Sequence, residues 1–136
     1  GQVLERALPY FDYVSPMVYP SHYPPQFNGW ANPNNYPYEL IYYVLKGGVA
    51  RAVATTTPVA GFAHQRLGTS TPALYKKPVY AANKIRPWLQ DFDYGGNYDV
   101  AEVKAQIKAT YDAGLNSWMI WDPANNYTPA AYESAL

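Results

Sequence analysis

Three runs of apolar and aromatic residues, separated by polar stretches rich in glycine and proline, predict three β-strands. They cover residues 11–19, 84–92 and 117–121, and aromatic and β-branched side chains are frequent in all three. Pro87 falls within the second run, and a proline cannot donate a hydrogen bond to a sheet. We therefore expect Pro87 to lie near the start of its strand or at a bulge.

A helix is predicted between the first and second strands. Pro37 suits the first turn of a helix, and apolar residues then recur at helical spacing as far as Leu45. Gly47 and Gly48 are expected to end or weaken this helix. Residues 49–83 show no clear period, and residues 3–8 resemble the tail of a preceding helix.

A second helix is predicted between the second and third strands. Asp99 and Glu102 have the spacing of a capping box, and an apolar stripe follows until Gly114, which suits a helix stop. The strand at 117–121 begins directly afterwards, so these elements form a β-α-β unit with parallel strands. A short helix is expected around 129–136.

The loops that follow the strands carry most of the aromatic, acidic, amide and imidazole side chains. The loop at 20–37 is long and that at 123–127 is polar, whereas the turns that lead into the strands are plainer. In parallel α/β folds and barrels the site lies at the carboxyl ends of the strands. The order of strands and helices therefore predicts an α/β fold of the TIM-type (β/α) barrel kind. A complete barrel needs about 250 residues, so a single domain of 136 residues is expected to hold part of one, with three to four β-α units.

Charge and cysteine content exclude several classes of function. Ten basic and ten acidic residues give no net charge, and no run of like charges indicates a nucleic-acid or membrane partner. Without cysteine the chain has no disulfide and no thiolate metal ligand. No ligand cluster or phosphate-binding glycine loop is present, so we expect no metal and no cofactor.

Aromatic residues are unusually frequent, with 15 Tyr and 4 Trp. Tyrosine and tryptophan combine an apolar face with a polar group, which suits stacking on sugar rings and hydrogen bonding to their hydroxyls. The alternative is that these residues only fill the core and pack the loops.

The segments YVSPMVYPSHY at 13–23, RPWLQDF at 86–92 and SWMIWDPANNY at 117–127 together resemble a bacterial family of glycoside-hydrolase-like (β/α)8 barrels. The resemblance covers most of the chain. It implies that these are the last three strands of the barrel and that the earlier strands, one of which is expected to carry an acidic site residue, are absent. It also implies an exported or cell-envelope parent protein whose export signal would lie upstream of Gly1.

Three side chains are candidates for chemistry. Glycosidic hydrolysis commonly uses two carboxyl groups, about 5 to 9.5 Å apart, and Asp91 and Asp122 each close a predicted strand. Each could instead bond to backbone amides of its own turn. His22, in the loop after the first strand, could assist proton transfer or could simply pack there.

Substrate-binding candidates are the aromatic and amide residues of the strand ends and their loops: Tyr19, Tyr23, Trp88, Gln90, Trp121, Asn125 and Tyr127. The expected partner is an oligosaccharide or polysaccharide. By strand alternation, Trp88 and Gln90 share one face of the sheet, whereas Leu89 and Asp91 share the other.

Two functional hypotheses follow. The first is a carbohydrate-binding part of a glycoside hydrolase with little or no turnover alone. The second is a structural partial barrel that self-associates, or pairs with a missing half, because open parallel edges expose unpaired backbone groups. A separate carbohydrate-binding module is less consistent with the sequence, since such modules are usually β-sandwiches and the capped helix argues against one.

Overall fold

The protein is mixed α/β in a computed structural model that describes residues 2–133. Its helices are α1 (Leu4–Ala7), α2 (Pro37–Val53) and α3 (Val100–Asp112). Its strands are β1 (Thr56–Thr57), β2 (Gln65–Leu67), β3 (Leu74–Lys76), β4 (Trp88–Gln90) and β5 (Met119–Trp121). None of the helices in this part is long and apolar enough to span a membrane.

Strands β4 and β5 are parallel, with Leu89 opposite Ile120, which confirms the predicted β-α-β unit. Pro87 immediately precedes β4 and its carbonyl accepts from the Met119 amide at 2.8 Å, so it lies near the strand start as expected. The missing amide hydrogen of Pro87 therefore interrupts no bond within β4.

The first predicted strand, 11–19, forms only two isolated parallel bridges, which pair Val14 with Ile85 and Met17 with Trp88. Pro16 lies between these bridges. Its carbonyl accepts from Trp88 at 2.9 Å, but it has no amide hydrogen to donate on either side. Residues 14–18 are therefore a third parallel segment beside β4, although they are too irregular to count as a strand.

The two long helices pack against each other and against one face of this parallel arrangement. The core between them contains Leu40, Ile41, Leu89, Val103 and Ile107, all buried. Gly47 and Gly48 do not end α2, contrary to one of the two expectations.

The predicted boundaries of α3 are confirmed. The capping box of Asp99 and Glu102 is present, and the Glu102 carboxylate accepts from the Asp99 amide at 3.1 Å. Gly114 follows the helix with φ of +95°, a conformation that glycine adopts without strain. Near the amino terminus, α1 confirms the predicted helix tail. The helix expected around 129–136 is a 3-10 turn at Pro129–Ala131, and residues 134–136 lie outside the described part.

Residues 54–84 contain an antiparallel sheet in the order β1-β3-β2, which the sequence did not predict. Its strands have only two or three residues, and every residue of β2 is exposed. Such strands have no apolar face and so no alternating pattern to detect. Within residues 2–133 the two sheets form no closed barrel.

Candidate functional site

The face of the parallel sheet opposite the helices is open. Because side chains alternate along a strand, Leu89 and Ile120 point to the helices. Trp88 on β4 and Met119, its partner on β5, point to the open face. Trp121, which pairs with Gln90, points to the same face. Large side chains therefore cover a surface on which no helix of the described chain packs.

Two tryptophans form the centre of this face. The rings of Trp88 and Trp121 meet edge to face, with centroids 6.1 Å apart and an interplanar angle of 84°, an arrangement that aromatic pairs favour. Trp121 remains 44% exposed. They line an open pocket of about 560 Å³ together with Met17, Tyr19, His22, Phe92, Tyr94 and Pro123; this set is called the aromatic pocket below. It lies at the carboxyl ends of β4 and β5, where the sequence predicted a site.

Tyr19 forms a buried wall of the aromatic pocket. Its ring contacts His22 and Phe92 edge to face, at 5.1 Å and 5.5 Å between centroids. Burial and, to a smaller extent, the nearby Tyr127 raise the pKa of Tyr19 to about 12. The phenol is therefore neutral at physiological pH and can act as a hydrogen-bond donor.

Gln90 holds the loop that carries His22. Its Oε1 accepts from both the amide and the hydroxyl of Ser21, at 3.2 Å and 2.9 Å, and its Nε2 donates to the Phe92 carbonyl at 2.9 Å. Gln90 is fully buried. In this arrangement it positions the pocket loops and presents no atom to a bound sugar.

Asp91 is buried beneath the loop that follows β5. Its Oδ2 accepts from the Thr128 amide at 2.8 Å, whereas Oδ1 has no hydrogen-bond partner within residues 2–133. The side chain is 2% exposed and does not line the aromatic pocket. The alternation that directs Trp88 into the pocket turns Asp91 away from it.

Asp122 organises its own loop. Its Oδ1 accepts from the amides of Ala124 and Asn126, at 2.6 Å and 3.2 Å, which is the Asx-turn arrangement weighed from the sequence. Asn125, between them, has φ of +57° and an exposed side chain. Asp91 and Asp122 both bond to amides of the loop at 122–128, and neither carboxylate lines the aromatic pocket.

A family model described as "Putative glycosyl hydrolase domain" (DUF4015) matches residues 1–127. The chain belongs to this family. Comparisons with curated proteins and with solved structures gave no match. The family supports the predicted resemblance, although it does not define which part of a barrel this domain represents.

The domain does not bring all of the predicted binding residues together. Tyr127 is 38% exposed and lies near Tyr19. Tyr23 instead packs on Phe27, with ring centroids 4.6 Å apart, and faces a second groove of about 1120 Å³ between segment 14–18 and α2. Tyr23 thus does not line the aromatic pocket, although Met17 lines both cavities.

Four pocket residues of the domain were not singled out from the sequence. Met17 precedes Tyr19 by two residues, and the same alternation would have placed it on the open face. Phe92 and Tyr94 directly follow β4, and Pro123 follows Asp122. Their position just beyond strand ends was the available signal.

Arg86 is a charged residue just before the start of β4. Its guanidinium lies 3.7 Å from the centre of the Tyr13 ring, and its Nε donates to the Ser117 hydroxyl at 3.1 Å. This cation is therefore fixed at the opposite end of the strands from the pocket loops. In the described part of the domain, no group of three His, Asp or Glu side chains has an arrangement that would hold a metal ion.

Proposed function

We propose that this domain is the carbohydrate-binding part of a glycosyl hydrolase and that the aromatic pocket is its sugar site. The observation that supports this is the Trp88–Trp121 pair on the open face of the parallel strands, where Trp121 is exposed at the carboxyl end of β5. Aromatic faces suit the C–H surfaces of sugar rings, and the neighbouring Tyr19 and His22 offer polar groups for hydroxyls. Membership in a glycosyl hydrolase family agrees with this ligand class.

We further propose that segment 14–18, β4 and β5 are consecutive strands of a (β/α)8 barrel. Their parallel order and the packing of α2 and α3 on one face support this. The open face would then be part of the barrel interior, and the pocket would lie at the end of the barrel where active sites occur.

We infer that the domain binds sugar without cleaving it. Hydrolysis normally needs two carboxyl groups flanking the glycosidic bond, and no carboxyl group of the described residues lines the aromatic pocket. Asp91 and Asp122 are the closest candidates in sequence, but both accept hydrogen bonds from loop amides. Turnover that is lost in Asp91→Asn while binding persists would contradict this inference and restore Asp91 as a catalytic residue.

Trp121→Ala tests the sugar site. Titration with neutral oligosaccharides, followed by tryptophan fluorescence and calorimetry, should show binding that this variant weakens by about tenfold or more. Truncating a tryptophan at the centre of a binding site commonly costs about 2 kcal/mol, and about 1.4 kcal/mol already corresponds to tenfold. Phe62→Ala is the matched control, because Phe62 is 91% exposed and lines neither cavity. Equal losses in both variants, or no loss in Trp121→Ala, would contradict the proposed site.

Self-association is a second candidate, favoured by the open edges of the parallel sheet. In a parallel strand alternate residues bond to opposite sides, so Ser15 and Met17 direct their backbone groups away from β4, and no backbone hydrogen bond reaches them within residues 2–133. On the other side, β5 has β4 as its only described neighbour. Such edges can pair with another chain.

Sedimentation velocity tests this second candidate. We expect a dimer or larger species at micromolar concentration, and Tyr43→Glu, on the groove side of α2, should dissociate it. Val53→Glu is the control, since Val53 has similar exposure on the same helix but does not line the groove. A monomer for the unchanged protein would contradict self-association and leave the sugar site unaffected.

A further inference from the structure

Within residues 2–133, the side chains that line the aromatic pocket include none with a permanent charge. Its eight lining residues include no lysine, arginine, aspartate or glutamate. The imidazole of His22 and the phenol of Tyr19 are among its polar groups, and the phenol, whose pKa burial raises from 10 to about 12, carries no charge at neutral pH. A ligand in this pocket therefore meets aromatic faces, the Tyr19 phenol and the His22 imidazole.

Charged groups beside the pocket are held outside its lining. Asp91 and Asp122 bond to loop amides, and Asp93 accepts from the Tyr98 amide at 2.7 Å. Arg86 is held over Tyr13 at the start of the strands. None of these charges is free at the pocket surface to compensate a charge on the ligand.

An acidic sugar would consequently be disfavoured. Its carboxylate would lose water on entering an apolar pocket and would gain no lysine or arginine partner among the lining residues. Three carboxylates in the adjoining loops would add weak repulsion, because charges a few ångströms apart still interact near a protein surface. A neutral sugar incurs neither cost.

We propose that the aromatic pocket selects neutral saccharides and rejects uronic-acid saccharides of the same backbone. This inference rests on the proposed sugar site. It defines the substrate class by the C6 group, an alcohol in the accepted ligand and a carboxylate in the rejected one.

The test uses pairs of hexasaccharides that share a backbone and differ only at C6, such as β-1,4-mannose with β-1,4-mannuronate and α-1,4-galactose with α-1,4-galacturonate. Affinities are measured by tryptophan fluorescence in about 0.02 M and about 0.5 M NaCl, since salt screens charge interactions. The neutral member should bind at least about tenfold more tightly in low salt, and its affinity should change less than about twofold with salt.

The outcomes separate the two proposals. If the acidic member binds equally or more tightly, the selectivity is wrong while the sugar site stands. If no member of any pair, nor any glycan on an array of neutral and acidic structures, binds at millimolar concentration, the sugar site itself is wrong and the selectivity falls with it.

Met17→Lys adds a reciprocal test. Met17 lines the pocket and is 64% exposed, so a lysine there can extend into solvent and offer a cation to the ligand. The preference for the neutral hexasaccharide should fall by about threefold or more, and this fall should disappear in high salt. Phe62→Lys, which adds the same charge away from the pocket, should leave the preference unchanged. An equal change in both variants, or none in Met17→Lys, would overturn the proposed site of selection.

Discussion

Replacing Gln106 with methionine should destabilise the domain strongly, because this side chain completes the hydrogen bonding of β4. Its Oε1 accepts from the Gln90 amide at 3.0 Å, and its Nε2 donates to the Gln90 carbonyl at 2.7 Å. Segment 14–18 bonds to the backbone of Trp88 and then turns away from β4 at Tyr19 and Pro20. The backbone amide and carbonyl of Gln90, which are next on that side of β4, therefore have no strand partner. Gln106, fully buried on α3, takes that place.

The expected loss follows from these two bonds. Methionine has nearly the same shape as glutamine but leaves a buried amide and a buried carbonyl unpaired, at about 1–3 kcal/mol each. After a partial offset from the more apolar side chain, we expect a loss of about 2–4 kcal/mol in the free energy of unfolding. That is a large part of the 5–15 kcal/mol that typically stabilises a domain.

Urea unfolding followed by circular dichroism measures this loss. With a slope of about 1–3 kcal/mol per molar urea, the midpoint should fall by about 1–2 M. Lys104→Met is the matched control, since it introduces the same residue on the exposed side of α3 and should change stability by less than about 0.5 kcal/mol. A loss for Gln106→Met no larger than for the control would refute the argument that Gln106 replaces a strand partner.

Two further changes test the scaffold. Glu5 is buried and bonds to Arg51 at 2.6 Å and 2.8 Å, and this contact lowers the pKa of Glu5 below 4.5. The stabilisation is present above pH 4.5 and is lost as pH falls through the lower folded-state pKa. In thermal melts, the melting temperature of Glu5→Gln should therefore fall less with acid than that of the unchanged protein. Melting temperatures that fall in parallel for the two proteins would contradict this. Asp99→Ala removes the cap of α3 and should lower the free energy of unfolding, measured in urea, by about 1 kcal/mol. An unchanged urea midpoint would contradict a stabilising role of this cap.

The β-α-β unit could be predicted because its signals are local. The capping spacing at Asp99, the apolar stripe of α3 and the stop at Gly114 all lie within one stretch of chain. The end of α2 was harder to predict, because glycine is only moderately unfavourable inside a helix. Packing can override that cost: Gly48 faces Ile85, where an added Cβ would lie 3.5 Å from the side chain.

Other features depend on contacts between distant residues. The antiparallel sheet pairs two- and three-residue strands that carry no apolar period. The roles of Gln90 and Gln106 depend on partners 69 and 16 residues away, and nothing in the local sequence indicates them. Alternation along β4 did predict that Trp88 and Asp91 would face opposite sides, and this geometry is what the structure shows around the pocket.

That alternation connects the fold to the proposed function. One strand supplies both the tryptophan of the pocket and the aspartate suited by sequence to hydrolysis, but a strand directs residues 88 and 91 to opposite faces. For Asp91 to reach a sugar on the tryptophan pair, it would have to release the Thr128 amide and the loop after β5 would have to move. The same movement would remove the acceptor of the part-buried Thr128 amide, which costs up to about 1 kcal/mol because water can partly replace it. Binding by the aromatic residues needs no such rearrangement, so the fold favours a preformed sugar surface over a preformed catalytic pair.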